Sequence, residues 1–171
     1  MFYDELTISL KAGRGGDGCM SFRREKYIPR GGPDGGNGGR GGSVIVTCDE
    51  NVSDLRDYHF SPTREAKNGQ PGKGRQQHGK NGSDLYLKFP AGTVFKDPES
   101  GDIVAELVEH GQEIVLLKGG KGGKGNTVFK SSTNQAPRQY TEGTAGEEGN
   151  FIVELKVIAD VGLVGFPNEI G

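Results

Sequence analysis

Glycine at every third position constrains this chain more than any other feature. Within GGPDGGNGGRGG the residues Gly32, Gly35, Gly38 and Gly41 keep that step, and it returns at Gly69/Gly72, Gly79/Gly82, Gly119/Gly122/Gly125 and Gly143/Gly146/Gly149. A polyproline II helix has three residues per turn and no internal hydrogen bonds, so a glycine at each third residue bares one edge and lets another backbone lie against it. The competing reading of a glycine-rich chain is a set of flexible linkers. The segments between the repeats argue against that, because they carry ordered strand patterns. Collagen is excluded, since the triplet register breaks after a few repeats. The expectation is about six short glycine helices packed side by side.

Strand patterns fill the intervals. Leu6, Ile8 and Leu10 alternate, as do Leu85, Leu87 and Phe89, and Val44–Val46 form a short apolar run ending near Cys48. Beyond Pro90 the turn formers Asp97, Pro98, Gly101 and Gly111 separate strands at 93–96, 103–107 and 114–117, and Phe151, Val153 and Leu155 close the series. Only Val52–Tyr58 reads as helical. The predicted class is mainly β: seven or eight short strands in a small barrel or sandwich, from which the glycine segments project as a lobe.

Hydrophobic residues make up only 32% of the 171 residues, so the core must be small and local. No apolar run approaches the roughly 18 residues of a membrane span, and no charged-then-apolar start marks a signal peptide. Cys19 and Cys48 stand apart without metal-binding spacing, which fits a reducing cytoplasm. His59, His78 and His110 are widely separated and read as surface or hydrogen-bonded histidines. The net charge of −2 conceals a segregation: residues 11–42, 61–82 and 118–138 hold 17 of the 21 cations, 4 of the 23 anions and 22 of the 31 glycines. Cations riding on glycine-rich backbone are the footprint of a phosphate-rich partner.

The string FRREKYIPRGGPDGGNGGRGG at 22–42, with AGRGGDG at 12–18, PAGTVFKD at 90–97, GGKGGKGNTVFKSSTNQAPR at 119–138 and ELKVIADVGLVGFPN at 154–168, resembles the N-terminal domain of the Obg (CgtA) GTPases. The resemblance implies the Obg fold, an eight-stranded barrel carrying six glycine-rich helices, over residues 1–157. It also implies a GTPase acting in maturation of the large ribosomal subunit, whose N-terminal domain contacts ribosomal RNA. Residues 158–171 are expected to begin a G domain: Gly165 matches the first glycine of a phosphate-binding loop, but Ile170 and Gly171 stand where its second glycine and lysine belong. No GTPase activity, nucleotide or metal is therefore expected of this chain, whereas GTP and Mg2+ are expected for a full-length protein. The implied partners are the large subunit, its rRNA and the protein's own G domain. The alternative is a protein-interaction or regulatory module that contacts the G domain or a signalling partner.

Candidate RNA contacts follow from the basic segments. Arg23, Arg24, Lys26 and Arg30 surround Phe22 and Tyr27, Lys73, Arg75, Lys80, Lys118, Lys121, Lys124 and Lys130 fall at expected loop tips, and Arg138 shares a polar, proline-bounded run with Asn126 and Asn134. Phe22 and Ile28 are expected to plug the join between lobe and barrel. Asn126 and Asn134 either read bases or satisfy buried loop groups. The glycines 32, 35, 38, 41, 119, 122 and 125 are assigned to packing.

Overall fold

The computed structural model describes residues 2–24 and 31–157, which form eight strands, one short helix and one 3-10 turn. In chain order these are β1 (Phe2–Lys11), β2 (Val44–Cys48), α1 (Arg56–Phe60), β3 (Thr63–Glu65), β4 (Leu85–Phe89), β5 (Thr93–Lys96), β6 (Ile103–Leu107), β7 (Glu113–Leu117), the 3-10 turn Asn126–Phe129 and β8 (Glu148–Val157). The alternation in β1 and β8 is realised as burial of Ile8, Leu10, Phe151, Val153 and Leu155, with Ile8 opposite Phe151 in an antiparallel register.

The strands make two sheets and not one closed barrel. One has the order β3-β1-β8-β5-β6, the other β4-β2-β7. Phe89 of the smaller sheet packs edge-on against Phe95 of the larger, with ring centroids 4.9 Å apart, so one core is shared across the interface. Tyr58 of α1 stacks on Phe89 with ring centroids 4.3 Å apart and donates its hydroxyl hydrogen to Lys88 O at 2.7 Å. Burial pushes that phenol up to about 12, against the opposing pull of the Arg64 charge. Side chains such as Phe89, Phe95, Ile8 and Leu107 are fully buried. Each stabilises the sandwich by about 1.5–3 kcal/mol.

The lobe has no such core. Six segments, at 12–19, 35–43, 67–73, 77–84, 118–126 and 141–147, run alternately away from the sheets and back, joined by backbone hydrogen bonds that repeat every three residues. Ala12, Gly15 and Gly18 donate to the carbonyls of Glu147, Thr144 and Thr141. One residue further on, Gly13, Gly16 and Cys19 donate to Gly42, Gly39 and Gly36. Gly36, Gly39 and Gly42 in turn donate to Lys73, Gln70 and Lys67. Each successive N–H thus points at a different neighbour, and that direction recurs after three residues.

Side chains supply acceptors where no carbonyl is in reach. Asn37, Arg40 and Ser43 donate their N–H groups to His78 Nδ1, Asn81 Oδ1 and Asp84 Oδ1 at 2.8–2.9 Å. Lys118, Lys121 and Lys124 donate theirs to Glu147 Oε1, Thr144 Oγ1 and Thr141 Oγ1 at 2.7–2.8 Å. The approach is close enough to exclude side chains: a Cβ built on Gly38 would lie 1.9 Å from Gly16 O, and one on Gly122 would lie 2.0 Å from Gly38 O. Gly32 departs from its expected role, since a Cβ there meets nothing nearer than Lys130 Nζ at 3.6 Å.

Candidate nucleic-acid interface

The chain directions above put residues 20–24, 73–77 and 126–140 at the end of the lobe away from the sheets. Phe22 belongs to this end. It forms an isolated bridge with Pro33, and Arg23 donates its N–H to Gly32 O at 2.9 Å, so residues 22–23 are held against 32–33. Phe22 therefore does not plug the join between lobe and sheets. The guanidinium of Arg138 lies over its ring, 5.8 Å from the centroid.

Phe22, Arg24 and Arg138 are shared by two adjoining grooves. Arg23, Arg75 and Asp34 are among the other residues lining one, and Lys130 and Gln135 among those lining the other. The structure thus gathers Arg23, Arg24, Arg75, Lys130 and Arg138 from three segments at one surface. Lys118, Lys121 and Lys124 form a separate exposed row along one lobe segment, and Lys73 and Lys80 are exposed on the hairpin of 67–73 and 77–84. Lys26, Arg30, Tyr27 and Ile28 lie outside the described residues, as does Gly165 with the expected start of a nucleotide-binding domain.

The lobe's cations divide into two kinds. Arg14 and Arg40 are held by carboxylates, Arg14 to Asp17 at 3.1 Å and Arg40 to Asp84 at 3.2 Å. The N–H of Gly143 and then Arg14 hold the Asp17 carboxyl below the usual carboxylate range, and the N–H of Ser43 and then Arg40 do the same for Asp84. These pairs brace the lobe. By contrast, among the described residues no carboxylate lies within ion-pair distance of Arg75, Lys80, Lys121, Lys124, Lys130 or Arg138. Their charge remains available to an anionic partner.

Asn126 proves structural. It is fully buried, its Oδ1 accepts the Gly35 N–H at 2.9 Å, and its Nδ2 donates to Ser21 O and Pro137 O at 3.0 and 3.1 Å. Asn134 is exposed and accepts the Ala136 N–H within its own loop. Asp34, which the sequence did not single out, is buried at the floor of the first groove. Its Oδ2 accepts the Arg75 N–H at 3.1 Å and its carbonyl accepts the Gln76 N–H at 2.6 Å. Arg75 and Gln76 both adopt left-handed backbone, with φ of 61° and 57°. Such non-glycine geometry persists only where its surroundings impose it. No local signal marks Asp34, because its partners are about 40 residues away in sequence.

The GTP1/OBG family model matches residues 3–157, which takes in every strand of both sheets and the whole glycine lobe. The chain belongs to the GTP1/OBG family. It is 53% identical over 167 residues to a protein of Persephonella marina named GTPase Obg, covering 98% of this chain and 49% of that relative. It is 53% identical to the GTPase Obg of Nautilia profundicola and 52% to that of Desulfitobacterium hafniense, covering 47% and 40% of those proteins. The chain therefore spans half or less of the length of these relatives, and the GTP1/OBG match falls on the glycine lobe and its β base. Among the described residues no helix is long and apolar enough to cross a membrane, and no group of His, Cys, Asp or Glu is placed to hold a metal.

Proposed function

We propose that this chain is the RNA-binding, ribosome-docking part of an Obg GTPase that acts in assembly of the large ribosomal subunit in the cytoplasm. The observation that carries the reading is the set of exposed cations without carboxylate partners, displayed on a backbone that hydrogen bonding has already ordered. A rigid display spares the entropy that mobile lysine loops would lose on binding. Phosphate contacts position such a module, while Phe22 and the arginines around it offer a platform for an unpaired base.

The segments of the lobe are six polyproline II helices in this reading. The three-residue bonding repeat supports it, as does Gly125, whose φ of −74° and ψ of 164° fit that conformation. In a full-length protein the following domain would bind GTP with Mg2+, and nucleotide hydrolysis would belong to it. Two free cysteines are compatible with a reducing compartment.

Cosedimentation of the chain with purified large and small ribosomal subunits across a salt series tests the proposal. Binding to the large subunit that weakens steeply between about 50 and 200 mM salt is expected, because each neutralised phosphate releases counterions. Salt-independent binding would place the chain among protein-interaction modules instead.

A further inference from the structure

The Asp34 carboxylate is one hydrogen bond short. Its Oδ2 holds the Arg75 N–H, but its Oδ1 is buried without any partner. Buried carboxylate oxygens are ordinarily satisfied, so an orphan at the floor of a groove marks a place where a donor is missing. Gly74 and Ser21 lie beside it: a Cβ built on Gly74 would sit 3.9 Å from Asp34 Oδ1 and 2.8 Å from Ser21 Oγ. Both line the same groove as Asp34, Phe22, Arg75 and Arg138.

We propose that this groove is a base-reading site, in which Asp34 Oδ1 accepts a hydrogen bond from the amino group of an unpaired nucleobase, so that an amino-bearing base such as cytosine is preferred to uracil. The inference rests on the RNA-binding reading above and adds a sequence preference to it. A carboxylate oxygen accepts from the cytosine N4 amino group. Uracil offers only an N–H flanked by two carbonyl oxygens, which the carboxylate repels. Phe22, with Arg138 over its ring, supplies the stacking surface, and Arg75 is anchored by the same carboxylate that reads the base. The left-handed turn at Arg75 and Gln76 is then the device that lets both of their N–H groups hold Asp34 in place.

The test measures binding of short oligocytidine and oligouridine of equal length to the chain at one low salt concentration. The wild-type protein should bind oligocytidine about tenfold more tightly. In Asp34→Asn the oxygen goes on accepting from Arg75 N–H, and the amide NH2 takes the place of Oδ1, so an acceptor becomes a donor. The preference should vanish or turn toward oligouridine, which a merely structural role would not produce. Gly74→Ala meets only the end of a small side chain at Ser21, so it should fold and lose the preference by filling the space beside Oδ1. It decides the matter if melting shows that Asp34→Asn has unfolded. Equal binding of the two oligomers by the wild-type chain, or a preference that survives both substitutions, would overturn the base-reading site and leave RNA binding standing. Failure to bind either oligomer at low salt would overturn both.

Discussion

The two halves of this molecule solve the problem of cohesion by opposite means. The sheets are held by side chains: Phe89, Phe95, Ile8 and Val153 are excluded from water, and the backbone is satisfied by ordinary strand ladders. The lobe is held by backbone, with N–H groups distributed among neighbours in threes and glycines where a Cβ would strike a carbonyl. In the sheets, side chains are committed to the core, and substitutions that conserve volume are tolerated. In the lobe the packing uses few apolar side chains, and the polar ones that take part, such as Asn126, Asp84 and Thr144, accept backbone N–H groups. Side chains such as Lys118, Lys121 and Lys124 are left facing solvent, where charge can be displayed without disturbing the packing. A fold built this way is suited to carrying cations toward a phosphate-rich surface.

Substitutions should separate the halves, the largest effect coming from the sheets. Phe89→Ala removes a ring that packs on both Tyr58 and Phe95, and it should cost about 3–5 kcal/mol in chemical denaturation. Gly38→Ala places a methyl 1.9 Å from a backbone carbonyl, which no rotamer change relieves. A loss of about 3 kcal/mol is expected, with amide exchange accelerating in the lobe and not in β1 or β8. Gly32→Ala, with open space around it, should be near neutral, and equal effects from the two glycines would abolish the distinction between packed lobe and flexible linker. Asn126→Ala strands the donors and acceptors it satisfies at the lobe's far end, and it should cost about 1–3 kcal/mol by the same denaturation measurement.

Acid should act on the lobe's braces. Asp17 and Asp84 have folded values below their ordinary carboxylate range, so their stabilisation is present above the unfolded value and is lost as pH falls through the folded one. Below about pH 4 the lobe's amides should exchange faster, after correction for intrinsic rates. The sheets lose the Glu154–Lys96 pair in the same window, but they retain their apolar core. An acid response confined to the sheets would reverse the assignment.

Much of this contrast was legible in the sequence, because it rests on local periodicity. A period of two marks β1, β4 and β8, and the short apolar run marks β2. The period of three marks the lobe, because every third N–H meets the same neighbour. β3 escaped because Thr63–Glu65 is too short to show alternation, and it forms only by pairing with Ser9–Lys11. The division into two sheets was likewise not legible, since pairing between distant strands decides it. The site was read in part. The cations were evident as charge, but their gathering around Phe22, the purely structural use of Asn126 and the role of Asp34 depend on contacts between residues tens of positions apart.

The smallest structural change bears on the central claim, that the lobe's exposed cations make the RNA contact. Lys121→Glu with Lys124→Glu should leave stability within about 0.5 kcal/mol, since both side chains face solvent and their N–H groups do the packing. The decisive measurement is the salt dependence of large-subunit binding for this pair, compared with reversal of Lys88 and Lys156 on the sheets. The account predicts weaker binding and a shallower slope for the lobe pair, by about 0.7–0.9 for each phosphate that is no longer neutralised, with little change for the sheet pair. Equal weakening by both pairs would contradict it, by showing that net charge alone and not the lobe governs binding.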